Sequence, residues 1–315
     1  MKLKIAHALT FIVLLTLTLT GSANAVSMLD YPGNKSLSYD GIDDYASCLS
    51  SAYRSAALTI ELWIRPEYTI ETGSNANYGH VLGAIMSNTA TWVGFDTDQG
   101  GWALYFNFSD GHLNFKYRGY HPYYNSAPVT IETNRDVWYS NSWYHIAVTF
   151  SSDSGLAFYV NKTVDKTVPS DIWVMSHDTP KLEIGGYSDY AYMFEGSIDE
   201  VRLWNVSRTS AEIGDSWNRI LNVTECASPV LVGYWRFDEG TGVESKDFSN
   251  QNINATLGLP PYDPAWSPFG APIIPEFPLF LILPIFMITT LLIALACKRK
   301  RALMRFSGAR FLTAA

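Results

Sequence analysis

Three aspartates fall within five residues, in Asp40-Gly41-Ile42-Asp43-Asp44. The glycine lets the chain bend tightly, so Asp40, Asp43 and Asp44 can turn their carboxylates toward one point. Hard cations take six to eight oxygens, usually carboxylates and backbone carbonyls gathered at a loop, and this turn is a candidate calcium site. The same spacing serves Asx turns, in which aspartates cap backbone amides and bind no ion. A second chemistry-bearing stretch is Tyr120-His121-Pro122-Tyr123-Tyr124-Asn125. Flat rings stack on sugar faces and amides read hydroxyls, which makes Tyr120, Tyr123, Tyr124 and Asn125 candidate glycan contacts. Motifs for hydrolysis or phosphate binding are missing: there is no HExxH, no GxSxG and no phosphate loop. The six histidines are scattered, and His145, in the middle of WYHIAV, reads as a core residue.

Two further sets of residues presuppose export. Between the chain's ends the cysteines are Cys48 and Cys226, and an even pair outside the cell suggests a disulfide. Asn34, Asn107, Asn161, Asn205, Asn222 and Asn254 each open an Asn-x-Ser/Thr sequon, the acceptor for N-linked glycans on an exported chain. The ends supply the export reading. Residues 1–25 carry Lys2 and Lys4, an apolar run from Ile5 to Leu19 and the small-x-small site Ala23-Asn24-Ala25, the layout of a signal peptide. Leu279–Cys297 is a 19-residue stretch without a charge. At 1.5 Å per residue it covers about 28 Å, close to the hydrocarbon thickness of a bilayer. Lys298-Arg299-Lys300-Arg301 follows as a cytoplasmic stop, leaving 302–315 as a cytoplasmic tail.

The elements that must position these residues lie in 26–275. Of the whole 315-residue chain only 17% is charged while 14% is aromatic, a composition that buries a sizeable core and excludes global disorder. Residues 26–275 hold 14 basic side chains against 29 acidic ones, a net of −15. Such a surface repels phosphate backbones, which argues against nucleic acid as a partner. Short alternating runs read as strands: 37–39, 58–64, 102–106, 113–117, 143–150, 156–160, 181–184, 198–204 and 231–237. Only Thr209–Ile220 looks helical, with Ser207 or Thr209 as its cap. Many short strands and one helix predict an all-β fold, a β-sandwich of two antiparallel sheets over 26–258. In the second of these, Leu58, Ile60, Leu62 and Ile64 share one face and Thr59, Glu61, Trp63 and Arg65 the other. Six prolines between 259 and 275 predict an extended spacer after the domain.

Seven segments then occur in order: LSYDGIDDYASC at 37–48, LTIELWIRP at 58–66, WYHIAVTF at 143–150, FYVNKT at 158–163, LEIGGY at 182–187, EGSIDEVRLWNVSRTSAEI at 195–213 and LVGYWRFDEGTG at 231–242. Together they resemble the laminin G-like, concanavalin A-like lectin/glucanase superfamily, which includes pentraxin-like domains. The resemblance implies a jelly-roll sandwich with ligand and calcium sites in rim loops or on the concave sheet. It implies that Asp199 lies beside the N-terminal strand and adds a carboxylate to the acidic turn. It also implies a second calcium loop after the IGG strand, at Asp189, with Tyr187 among the glycan contacts beside it. Laminarinase-like members carry Glu-x-Asp-x-Glu on one strand; the nearest run here, Glu195 to Glu200, alternates as Glu, Ser, Asp. Pro275-Glu276-Phe277-Pro278, ahead of the apolar stretch and basic cluster, resembles the archaeal PEF-CTERM sorting signal. That resemblance implies an archaeosortase-like processing partner and a lipid anchor, whereas the residues alone read as a membrane span, 276–301. The expectation is a surface-anchored, non-catalytic domain that binds glycans or glycoproteins and takes up calcium. A structural envelope component and a divergent glucanase-type hydrolase are the alternatives.

Overall fold

The computed structural model describes residues 34–50, 55, 57–74, 82–89, 101–121, 124–169, 174–175, 181–186 and 193–273. Its strands, in chain order, are β1 (Ser36–Asp40), β2 (Ala46–Leu49), β3 (Ala57–Pro66), β4 (Leu82–Thr89), β5 (Gly101–Asn107) and β6 (Leu113–His121). They continue with β7 (Tyr124–Glu132), β8 (Tyr144–Ser151), β9 (Gly155–Val160), β10 (Thr163–Val168), β11 (Val174–Met175) and β12 (Lys181–Ile184). After β13 (Glu195–Trp204) come the short helices α1 (Ser210–Ser216) and α2 (Val223–Cys226), then β14 (Leu231–Trp235), β15 (Glu244–Ser245), β16 (Ala255–Leu257) and β17 (Ala265–Ser267).

The described strands form two sheets whose ladders are antiparallel. The first runs β10-β9-β8-β3-β13-β1-β17, with β14 pairing the far half of β13. The second runs β11-β6-β5-β4-β12-β2-β16-β15, with β7 paired to β6. The alternation in β3 works as the sequence predicts: Leu58, Ile60, Leu62 and Ile64 enter the core between the sheets. Opposite them stand Trp102, Leu104 and Phe106 of β5 and Phe115 and Tyr117 of β6. Aromatic rings fill much of this space, with Tyr117 edge-on to Phe150 at 4.8 Å and Trp138 edge-on to Phe106 at 5.2 Å. The two-sheet antiparallel sandwich is therefore as expected. β2, β4, β7, β10, β11, β15, β16 and β17 are additional to the expected strands; β10 is an exposed edge strand with a bulge between Val164 and Lys166, which breaks the period-two signal.

One boundary is corrected. Residues 259–275, expected as a spacer, are packed on the sandwich as far as Ile273. β17 pairs with β1, and Ala271 and Ile273 are buried beside Trp63. β17 itself contains no proline; Pro264 and Pro268 flank it, so its ladder with β1 keeps its N–H donors. A proline-rich stretch that retains Trp266, Ala271 and Ile273 can still bury apolar surface.

The outer face of the first sheet is covered as well. Thr209 caps α1 and shares a reciprocal capping box with Glu212. Ile213 of α1 packs on Ala147, Ala157 and Tyr159. Beneath α1 lie Glu61, His145, Arg202 and Arg208, all buried. Arg208 pairs with Glu61; Arg202 Nη1 stands 3.9 Å and His145 Nε2 3.6 Å from Glu61 Oε2. Burial alone would push the Glu61 carboxyl up, but pairing with His145 and the Arg208 and Arg202 charges bring it down to about 2. Arg202 also donates to Glu200 Oε2 at 2.8 Å, and Tyr234 Oη donates to the same oxygen at 2.6 Å.

The expected signal peptide 1–25, Pro275-Glu276-Phe277-Pro278, the apolar stretch 279–297, and the expected basic stop and cytoplasmic tail lie outside the described residues. Among the described residues no helix is long and apolar enough to cross a membrane.

Candidate functional site

β1 ends at Asp40, and the chain turns back through Gly41, whose φ of 76° suits glycine. A β-carbon there would stand 2.7 Å from Glu195 Cβ, so the turn closes directly on the start of β13. Asp40 Oδ1 accepts from Ile42 N at 2.8 Å and from Asp43 N at 3.4 Å, and Asp44 Oδ2 accepts from Asp40 N at 2.8 Å. Asp40, Asp43 and Asp44 each offer a carboxylate oxygen within 4.8 Å of the others. The Asx turn is made by Asp40, Asp44 accepts one further amide, and all three carboxylates converge. Burial pushes the Asp44 carboxyl up to about 6, aided by the charges of Asp40, Asp43 and Asp263 and opposed by its bond from the Asp40 amide. Below the turn the Tyr39 hydroxyl is buried without a hydrogen bond, and burial plus the Asp44 charge raise its pKa.

Asp199 is not part of this turn. The β1–β13 register sets Asp40 opposite Glu195, leaving Asp199 four residues further on, about 13 Å along the strand. Its carboxylate is buried on the outer face, where it accepts from Ala271 N at 2.7 Å and Glu200 N at 2.8 Å. Burial and the Glu200 charge raise its pKa well above the usual range. Asp199 therefore fastens the C-terminal strap to β13. The acidic neighbours of the turn are Glu195, with Glu67 and Asp263 near it. Burial, then the Glu67 and Asp40 charges, raise Glu195. The strand parity of EGSIDE identifies Glu195 only once its register with β1 is known.

The outer face of the second sheet carries a polar row. Successive ladders place Glu244, Thr256, Ser47, Glu183, Ser87, Ala103, Lys116 and Thr130 side by side across β15, β16, β2, β12, β4, β5, β6 and β7. Glu183 is 1% exposed and receives Lys181 Nζ at 2.8 Å. The next row holds Ala84, Tyr105, Asn114 and Glu132. Burial raises the Tyr105 hydroxyl to about 12, with Asp110 and Glu132 adding to it and a bond to Thr130 opposing. Tyr105, Glu183 and Ser87 were missed by reading motifs. The alternation Trp102-Ala103-Leu104-Tyr105-Phe106 carries the signal for Tyr105, because its odd members face away from the core.

At one end of this face β6 and β7 form a hairpin, His121 opposite Tyr124, and β11 adds to β6 at Tyr120. The stretch expected as an aromatic loop is thus mostly strand: Tyr120 belongs to β6, and Tyr124 and Asn125 to β7. Tyr123, Tyr187 and Asp189 lie outside the described residues. The structure does not join Cys48 to Cys226. Cys48 packs in the core between the sheets, whereas Cys226 packs near Trp204 and Tyr234 on the outer face of the first sheet. That sheet separates the two sulfurs, and Cys226 Sγ donates to Leu221 O at 3.6 Å.

The family model described as the concanavalin A-like lectin/glucanases superfamily, of laminin G type, matches residues 40–214, more than half of the chain. Among solved structures, a candidate carbohydrate-binding protein from Bacteroides ovatus superposes with a TM-score of 0.54 at 18% identity, over 76% of this chain and 61% of that one. This chain therefore spans about 61% of that relative's length, and the likeness is one of fold. A pentraxin of Limulus polyphemus, heptameric and similar to serum amyloid P component, aligns at 16% identity with a TM-score of 0.41, over 73% of this chain and 97% of that one. No curated protein sequence matches. The matched segment runs from the acidic turn through β13 to α1, and by that match the chain belongs to the concanavalin A-like lectin/glucanases superfamily.

Proposed function

We propose that this domain binds glycans without cleaving them, on the outer face of the second sheet and at the β6–β7 hairpin. The observation that carries this reading is the polar row through Ser47, Glu183, Ser87 and Lys116, with Tyr105 beside it. Hydroxyls, a carboxylate and an ammonium can pair with sugar hydroxyls, and a tyrosine ring offers a flat surface for a sugar face. The carbohydrate-binding description of the Bacteroides ovatus relative points the same way. Hydrolysis fits poorly. Glycosidases need carboxyl pairs about 5 Å or 6.5–9.5 Å apart. On this face Glu183 is four strands from Glu132 and three from Glu244, about 19 and 14 Å at the usual strand spacing.

The expected calcium belongs to the same reading, held by Asp40, Asp43 and Asp44 and acting as a clamp on the β1–β2 turn. The carboxylates are close enough to share an ion, although backbone amides already engage two of them. The domain is displayed outside the cell, held by its C-terminal segment after processing by an archaeosortase-like enzyme or as a plain membrane span. Binding of the purified protein to a glycan array is the direct test. Glu183→Gln and Tyr105→Ala should each weaken the best glycan at least tenfold, about 1.4 kcal/mol. No retention of any glycan would leave a structural role in the envelope, and release of reducing ends would restore the hydrolase reading. Millimolar calcium should raise the melting temperature, and Asp43→Asn should remove the rise; equal melting in chelator would reduce these aspartates to turn formers.

A further inference from the structure

The six sequons are equal in sequence and unequal in the fold. An acceptor asparagine must present Nδ2 to a bulky enzyme and donor, so the side chain needs free space and an amide nitrogen not already committed. At Asn107 the amide is committed twice: Nδ2 donates to Asp110 Oδ2 at 2.6 Å and Oδ1 accepts from Ser109 N at 3.1 Å. Its neighbour Phe108 is fully buried. Asn222 is the N-cap of α2 and is held in a capping box with Glu225. Asn254 Oδ1 accepts from Asp247 N, its Nδ2 donates to Glu244, and Ala255 after it is buried in the core. Asn34 precedes the fully buried Ser36, and Asn205-Val206-Ser207 lies half-buried where β13 leaves the sheet.

Asn161-Lys162-Thr163 differs in exposure and in backbone geometry. It forms the tight turn between β9 and β10, and its three residues are all exposed, alone among the six sequons. Asn161 and Lys162 adopt φ of 49° and 64°, the paired left-handed geometry of a type I′ hairpin turn, which asparagine tolerates well. Asn161 Oδ1 accepts from His145 N at 2.9 Å, fixing the side chain while no acceptor among the described residues holds its Nδ2. Lys162 lies over Trp217, its Nζ 5.6 Å from the ring centroid. From this geometry we infer that Asn161 is the N-glycosylated residue of this protein. The donor is a sugar linked through phosphate to a lipid carrier. Asn161 Nδ2 bonds to the anomeric carbon and gives up one proton, while the carbon–oxygen bond to phosphate breaks and the phosphate leaves with the electron pair.

The attached glycan projects from the end of the sandwich where β8 begins, by His145. The β6–β7 hairpin is at the other end, where Tyr117 packs on Phe150 at the close of β8. The modification therefore leaves the proposed binding face open and does not depend on it. Glycopeptide mapping of the full-length protein purified from its native membranes tests the inference. The peptide containing Asn161 should carry the glycan, and those containing Asn107 and Asn222 should be bare. Thr163→Ala, which leaves the His145–Asn161 bond in place, should lower the intact mass by one glycan without moving the melting temperature. An Asn161 peptide found only in unmodified form overturns the assignment, as does a Thr163→Ala protein of unchanged glycan mass.

Discussion

Both sheets carry charged residues on their outer faces, yet the two faces differ in how those charges are handled. On the first sheet Glu61, Glu200 and Arg202 sit under α1 and the strap, each at most 2% exposed. Each acid there has an arginine close by, within 4 Å. On the second sheet the row from Glu244 to Thr130 holds four hydroxyls, two acids and a lysine; Ser87 and Glu183 in its middle are buried, and its ends at Glu244 and Thr130 are exposed. A closed ionic cluster fastens one element to another; the polar row meets solvent at both ends, where the proposed glycan would enter. Buried carboxylates are held by arginines on the first face and by Lys181 at Glu183 on the second.

The contrast can be broken where the expected effect is largest. Glu61→Ala leaves Arg208 and Arg202 buried beside no carboxylate at that point, and should cost about 3–5 kcal/mol in chemical denaturation. If the variant unfolds at the wild-type midpoint, the cluster under α1 is not a fastening. Glu183→Gln, by comparison, should affect glycan affinity far more than stability.

Acid sharpens the same comparison. Glu61 is lowered to about 2, so its contribution is present above pH 4.5 and is lost as pH falls toward 2. Burial raises Asp238 and Asp44 to about 6, with nearby carboxylates adding to it. Groups raised in the folded state contribute stability that is full below about pH 3.8 and is lost as pH rises through 6. Denaturation midpoints should therefore peak between about pH 4 and 5 and fall toward pH 7.5, and Asp44→Asn should flatten part of that fall. A midpoint that rises steadily from pH 4.5 to 7.5 would contradict the placement of these carboxyls.

The smallest effect separates a local signal from a tertiary one. Thr209→Ala removes the side-chain cap of α1 and should cost about 1 kcal/mol. Substituting the cap should leave glycan affinity untouched, because α1 covers the first sheet and the polar row lies on the second.

Much of this architecture is legible in the chain. Period-two alternation assigns Leu58, Ile60, Leu62 and Ile64 to one face whatever lies opposite, because a strand has only two faces. Thr209-x-x-Glu212 announces a helix start, and Asp40-Gly41-Ile42-Asp43-Asp44 announces a tight acidic turn, because both arise from contacts within a few residues. What the alternation cannot say is whether the second face of a strand meets water. Glu61 and Arg202 read as solvent-facing until α1 is laid over them. Asp199 and Glu195 have the same chemistry and stand four residues apart. Only the register with β1 and the return of the strap assign one to the acidic turn and the other to a buried backbone bond. The proline-rich end shows the same limit, since its pairing partner lies more than 220 residues earlier in the chain. Local sequence determines what short-range geometry can satisfy, and long-range pairing decides which of two equivalent carboxylates, cysteines or sequons is buried, joined or left open.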